Sequence, residues 1–246
     1  MLLTKPVVKT ARSSYSPDVS LRLEAVTFDV ADPAAVAAFW AGLLDREVVP
    51  EARGALVPGD KTQVGLRFVT SDTEQLGPRR LHLHLTSSSI EQQQRTVETA
   101  LRLGGRQIDV GPEDRHVVLA DPGGNELCVI EPGNKYLAGS GYLGEVTCDG
   151  TRQVGLFWRD ALGWPLVWDE NEQTAVQSPL GGTKISWDAW GGRQHERNRQ
   201  RFDLVTADPI GEAERLVSLG AIRLRDLSDG VELADPDSNE FGLRAG

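Results

Sequence analysis

The chain carries the same text twice. FDVADPAAVAAFWAGLLDREVV (Phe28 to Val49) is answered by TCDGTRQVGLFWRDALGWPLVW (Thr147 to Trp168), and LADPGGNELCV (Leu119 to Val129) by LADPDSNEFGL (Leu233 to Leu243). The two Phe-Trp pairs lie 118 residues apart and the two Asp-Pro turns 114. Solenoid repeats run to about 20–50 residues, so this period marks a duplicated domain. The chain must fold by using one unit two times.

The 246 residues suit two such units of about 110–120 residues each, enough to bury a core. A formal net charge of −10 with no Lys/Arg stripe repels a phosphate backbone, which excludes nucleic acid as a partner. No apolar run reaches membrane-spanning length, and the opening residues lack a signal-peptide h-region, so the chain reads as cytoplasmic with no membrane partner. Cys128 and Cys148 lie in alternating apolar segments, which fits reduced thiols borne on strands.

A smaller unit recurs inside each half. LRLEAVTFDV alternates as a strand and gives way at Asp32-Pro33, an N-cap with proline at N1, to the apolar-striped helix AAVAAFWAGLL. Three short strands follow, near residues 47–50, 54–57 and 63–69. After a polar link the pattern restarts with RLHLHLT, a helix over 90–103 ended by Gly104-Gly105, and strands near 106–110, 116–120 and 126–130. In the second half Thr151 and Asp208-Pro209 open the matching helices. The expected fold is α+β: a flexible N-terminal extension over 1–20, a first domain over 21–131, a Gly-rich linker over 132–142 and a second domain over 143–246, each made of two βαβββ modules.

These residues resemble a known family. FDVADP with FW and LL, then RLHLHL, LRLGG and DPGGNELCV, are similar to the glyoxalase/bleomycin-resistance, or vicinal-oxygen-chelate, superfamily, and the second half carries FW, ALGW, RFDL, LVSLGA and DPDSNEF in the same order. The resemblance implies that paired modules curl into cup-shaped half-barrels of eight strands, and that one residue from each of four cup strands faces a divalent metal. It also implies that a duplicated member can pair module one with four and module two with three.

Strand alternation locates the cup-facing residues, because side chains point in turn to the helix-packed face and to the cup. Leu81, Leu83 and Leu85 pack on the helix, which leaves His82 and His84 for the cup; the same reasoning gives Ala25, Val69 and Cys128 in the first half. In the second half it gives Glu145, Asp188, Gly242, and Arg201 with Asp203. Neither half holds the two imidazoles and two carboxylates of a glyoxalase metal site. Pairing within halves therefore leaves both sites degenerate, with Glu145, Asp188 and Arg201 as a satisfied ion cluster. Pairing across halves joins His82, Cys128, Glu145 and Asp188, four groups able to ligate a divalent metal, and leaves Ala25, Val69, Arg201 and Gly242 in a cup without ligands.

Two functional readings remain. One is a protein that binds a small apolar or aromatic metabolite in a β-cup with degenerate metal sites, suited by Trp168 and Trp190 and by the polar cup residues His84, Arg201 and Asp203. The other is a lyase or isomerase, metal-independent or unusually ligated, acting on a carbonyl-bearing or natural-product substrate, with His82, Glu145 and Asp188 as acid/base groups. Glutathione-dependent glyoxalase I activity is not expected of this residue set. The partner in either reading is a small-molecule ligand, and the protein is expected to be a monomer or homodimer. Trp40 and Trp158 read as core, His116 and His195 as solvated surface, and the DP-x-x-NE turns as structural.

Overall fold

The computed structural model describes residues 21–71, 79–108, 116–188 and 197–246. Four modules of one plan follow each other. The first comprises β1 (Arg22–Val30), α1 (Pro33–Leu44), β2 (Val49–Glu51), β3 (Gly54–Val57) and β4 (Gly65–Thr70). The second comprises β5 (Leu81–Leu85), α2 (Ile90–Arg102), β6 (Arg106–Gln107), β7 (Val117–Ala120) and β8 (Glu126–Val129). The third runs β9 (Leu143–Asp149), α3 (Arg152–Leu162), β10 (Leu166–Glu170), β11 (Gln173–Gln177) and β12 (Lys184–Asp188), and the fourth β13 (Gln200–Thr206), α4 (Pro209–Ser218), β14 (Ile222–Leu227), β15 (Gly230–Ala234) and β16 (Glu240–Ala245).

Local chemistry starts each helix where the sequence predicts. The Asp32 and Asp208 carboxylates accept from the Ala35 and Gly211 backbone N–H groups, each with proline in the first turn, and the Ser89 and Thr151 hydroxyls cap α2 and α3. The extension over residues 1–20, Trp190 and His195 lie outside the described residues.

The modules pair across the halves. One eight-stranded sheet has the order β14-β15-β16-β13-β1-β4-β3-β2, joining module four to module one, and the other has β10-β11-β12-β9-β5-β8-β7-β6, joining module three to module two. The central seams are antiparallel, β1 on β13 and β5 on β9. The repeat in the sequence and the sheet in space are thus different units. Trp40, Trp158 and Leu83, expected in the core, are buried there, together with Val26, Phe28, Leu127, Leu204 and Phe241.

The two repeated motifs meet. Trp40 of α1 donates its indole N–H to Asp121 at 2.9 Å, and Trp158 of α3 donates to Asp235 at 3.2 Å. The Phe-Trp pair of one module is therefore tied to the Asp-Pro turn of the next, and Asn125 and Asn239 bond the same carboxylates. This gives the DP-x-x-NE turns a tertiary role: they supply the only acceptors these buried indoles are seen to use among the described residues. Burial pushes the Asp235 carboxyl up from 3.8 to about 6, against the hydrogen bonds that favour its charge. A carboxyl whose pKa is raised on folding stabilises fully below its unfolded value and loses that contribution as pH rises through its folded value. Stability is expected to fall between pH 3.8 and about 6 more steeply in the parent than in Asp235→Asn; parallel slopes in urea titrations across that range would contradict the assignment.

Candidate functional site

The sheet of modules two and three builds the cup in which chemistry-bearing side chains converge. On β5 the leucines at 81, 83 and 85 are buried against the helix layer, and His82 and His84 face the cup. Register does the rest. His84 stands opposite Glu145 on β9 and Cys128 on β8, and Glu145 stands opposite Lys184 on β12. The neighbouring row sets His82 against Thr147, and Thr147 against Ser186.

His84 Nδ1 lies 2.7 Å from a Glu145 carboxylate oxygen, and the other oxygen accepts from the Tyr136 hydroxyl at 2.6 Å. Glu145 is only 3% exposed. Burial opposes its charge, but the bonds from His84, Tyr136 and Ser186 outweigh burial and hold its pKa below the usual carboxylate range. Burial also opposes charge on His84; Cys128 and Glu145 reverse the balance and push it up to about 9. His82 goes the other way, down to about 4, through burial reinforced by the charge of His84. The ligand atoms of His82, His84 and Cys128 all lie within 4.8 Å of one another.

Beside this cluster opens a cavity of about 340 Å³ lined by His84, Glu145, Thr147, Trp168, Ser186 and Asp188 among others. Trp168 is 39% exposed and meets the Tyr136 ring edge-on at 5.8 Å. Asp188 sits one row beyond Ser186, opposite Asp149, where burial and the Glu145 charge raise its pKa. The buried Thr147 hydroxyl has no hydrogen-bond partner among the described residues.

The pairing brings His82, His84, Cys128, Glu145, Asp188 and Trp168 to one cup and sends Arg201 and Asp203 to the other. Arg201 bonds Asp29 at 2.8 Å, so the cluster of Glu145, Asp188 and Arg201 expected from pairing within halves does not form. The cluster whose ligand atoms converge is His82, His84 and Cys128, which keeps two of the four groups expected from pairing across halves, adds His84 and includes neither Glu145 nor Asp188. Three contributors escaped the sequence reading. Tyr136 lies in the Gly-rich linker, where no periodicity points its side chain anywhere. Arg67, in the other cup, shares the parity of Val69 on β4, could have been found by it, and bonds Glu51, Asp203 and Glu24 there. His116, expected on solvated surface, is half-buried and close enough to His82 to weaken its hold on a proton.

The family model described as Glyoxalase-like domain matches residues 25–130 and 145–244. The chain belongs to this glyoxalase-like family. Among solved structures, it is similar to glyoxalase I from Zea mays at 16% identity, with 92% of each chain covered and a TM-score of 0.66. A putative dioxygenase from Bacillus subtilis matches at 12% identity over 91% of this chain and 84% of that one, with a TM-score of 0.58. At these identities the likeness concerns the fold. No curated protein is significantly similar in sequence. No helix among the described residues is long and apolar enough to cross a membrane.

A glyoxalase-like fold implies a divalent metal, and the donor set tests whether one fits. Two imidazoles and a thiol suit a borderline ion such as zinc. Glu145 has both oxygens committed, to His84 and Tyr136, and so orients a ligand instead of supplying one. Bonds of about 2.0–2.3 Å put tetrahedral ligands roughly 3.5 Å apart, so a separation of up to 4.8 Å asks for a contraction of about 1 Å. On those terms, and with His84 giving up the proton that Glu145 and Cys128 favour, His82, His84 and Cys128 fit a three-ligand site.

Proposed function

We propose that this glyoxalase-like protein is a lyase or isomerase acting on a small carbonyl-bearing substrate in the cup of β5, β8, β9 and β12. The observation that carries the reading is the His84 ring held between Glu145 and Cys128 in the wall of the 340 Å³ cavity, a pair largely buried from solvent. Strongly perturbed titratable groups converging on one cavity are a mark of functional sites.

Each residue has a part. Glu145, anchored by Tyr136, fixes the ring orientation of His84 through Nδ1, so that Nε2 would be the nitrogen that serves a ligand. Asp188, which lines the cavity with a raised pKa, would exchange a proton with substrate. Trp168 offers an apolar face at the same cavity, and Thr147 supplies an unpaired hydroxyl for a substrate oxygen. A divalent ion held by His82, His84 and Cys128 would polarise a substrate oxygen.

Trp168 favours a second reading, in which the cup sequesters a small aromatic metabolite without converting it: an exposed indole beside a phenol suits a flat ligand. Elemental analysis of the purified protein and turnover of carbonyl-bearing small molecules separate the two. One ion per chain, lost in His84→Ala, and turnover reduced about 100-fold or more in Glu145→Ala are expected. A metal-free protein whose Trp fluorescence reports aromatic ligands that it leaves unchanged would select sequestration and retire the enzymatic reading.

A further inference from the structure

The cup built by modules one and four holds no nitrogen or sulfur ligand at the positions that matter in its sister. Ala25 and Thr27 on β1, Val69 on β4 and Gly242 on β16 present nothing to an ion, and Arg67 and Arg201 repel one. Yet it encloses the larger cavity, about 810 Å³, within the size range of small-molecule sites. Six arginines line it against five carboxylates. In a chain of net charge −10 this is a local excess of positive charge inside a concave wall, where fields are focused.

The arginines are unequally employed. Arg67 is saturated: it bonds Glu51, Asp203 and Glu24 through three different nitrogens. Arg201 spends one nitrogen on Asp29. Among the described residues Arg244 makes a single loose ion pair, 4.0 Å from Asp203 Oδ2, and its buried Nε has no hydrogen-bond partner. Asp203, 1% exposed, uses Oδ2 for Thr27 and Arg67, whereas its Oδ1 is also without a partner among the described residues. Gly242 makes room for that oxygen, since a Cβ there would sit 2.6 Å from it. The lining of one cavity thus includes two residues whose buried polar atoms lack partners among the described residues, a donor on Arg244 and an acceptor on Asp203, and each stays costly until answered.

We infer that this second cup binds a small carboxylate that also carries a hydroxyl or ammonium group. The carboxylate meets Arg244 and Arg201, and the hydroxyl or ammonium hydrogen is donated to Asp203 Oδ1. Arg244, held by one 4.0 Å contact and about one-third exposed, is the side chain that shifts to admit it. The inference concerns a cup separate from the one assigned a catalytic role and stands whether or not that role is correct.

Calorimetric titration of the whole protein at low salt with malate, aspartate and succinate tests it. The three share a carbon frame and carboxylates, and succinate alone lacks the extra donor. Malate or aspartate is expected to bind at least about tenfold more tightly than succinate, with affinity falling as salt is raised. Arg244→Gln is expected to weaken binding about tenfold or more, and Gly242→Ala, which crowds Asp203 Oδ1, to erase the preference over succinate. His84→Ala, in the other cup, should leave these affinities unchanged. Absence of saturable binding by all three acids overturns the inference, as does equal affinity for malate and succinate that Arg244→Gln does not alter. Loss of binding in His84→Ala with none in Arg244→Gln would move the acid to the other cup and equally overturn it.

Discussion

Arg67→Ala is expected to lower the free energy of unfolding by about 3–5 kcal/mol, the usual cost of removing one partner from a buried ionic network. The guanidinium is 5% exposed and bridges Glu51 at 2.9 Å, Asp203 at 2.7 Å and Glu24 at 2.8 Å. Its pKa is held above the ordinary arginine value because those carboxylates outweigh the burial that opposes its charge. Without it Asp203, itself 1% exposed, keeps a buried charge answered, among the described residues, by the Thr27 hydroxyl and the distant Arg244. Arg67→Lys should recover only part of the loss, because a single ammonium cannot reproduce a planar fork addressing three carboxylates. Urea denaturation measures both variants; a loss under about 1 kcal/mol for alanine would show that the network contributes no more than a surface pair.

Trp158→Ala is expected to cost a similar 3–5 kcal/mol, for a different reason. The indole is 1% exposed and packs on Trp187 at 6.4 Å and on Phe202 and Phe241 at 5.0 Å, so its removal opens a cavity where α3 meets both sheets. Trp158→Phe separates packing from polarity. Phenylalanine keeps most of the ring contact but deprives Asp235 of a donor, at about 1–3 kcal/mol. Trp40→Phe should behave alike, because Trp40 bonds Asp121 in the same way. Denaturation midpoints that match the parent in Trp158→Ala would mean that the repeated Phe-Trp motif is not a structural joint between modules.

Most of the fold was legible residue by residue because its signals are local. The Asp-Pro pairs at 32–33 and 208–209 announce helix starts by satisfying orphan N–H groups within one turn. Alternation along LHLHL separates leucines from histidines whatever lies across the strand. The same parity placed Glu145, Asp188 and Cys128 on cup faces, and all of these side chains belong to the second sheet's concave side or its lining.

The composition of each site was a tertiary decision. β1 presents one antiparallel edge, and the local sequence gives that edge no preference between a neighbour in its own half and β13 in the other; the choice of β13 sends Arg201 to Asp29 and away from Glu145. The facing of His82 and His84 was set by a period of two, but their order of importance was set by register, which puts His84 and not His82 level with both Glu145 and Cys128. Tyr136 reaches Glu145 from a linker that has no periodicity to read. The sequence by itself therefore determined four modules, their caps, their cores and which side chains face a cup, because each depends on neighbours a few residues away. Which cup, and in whose company, depends on strand edges brought together over a hundred residues of chain, and only the folded sheets resolve that competition.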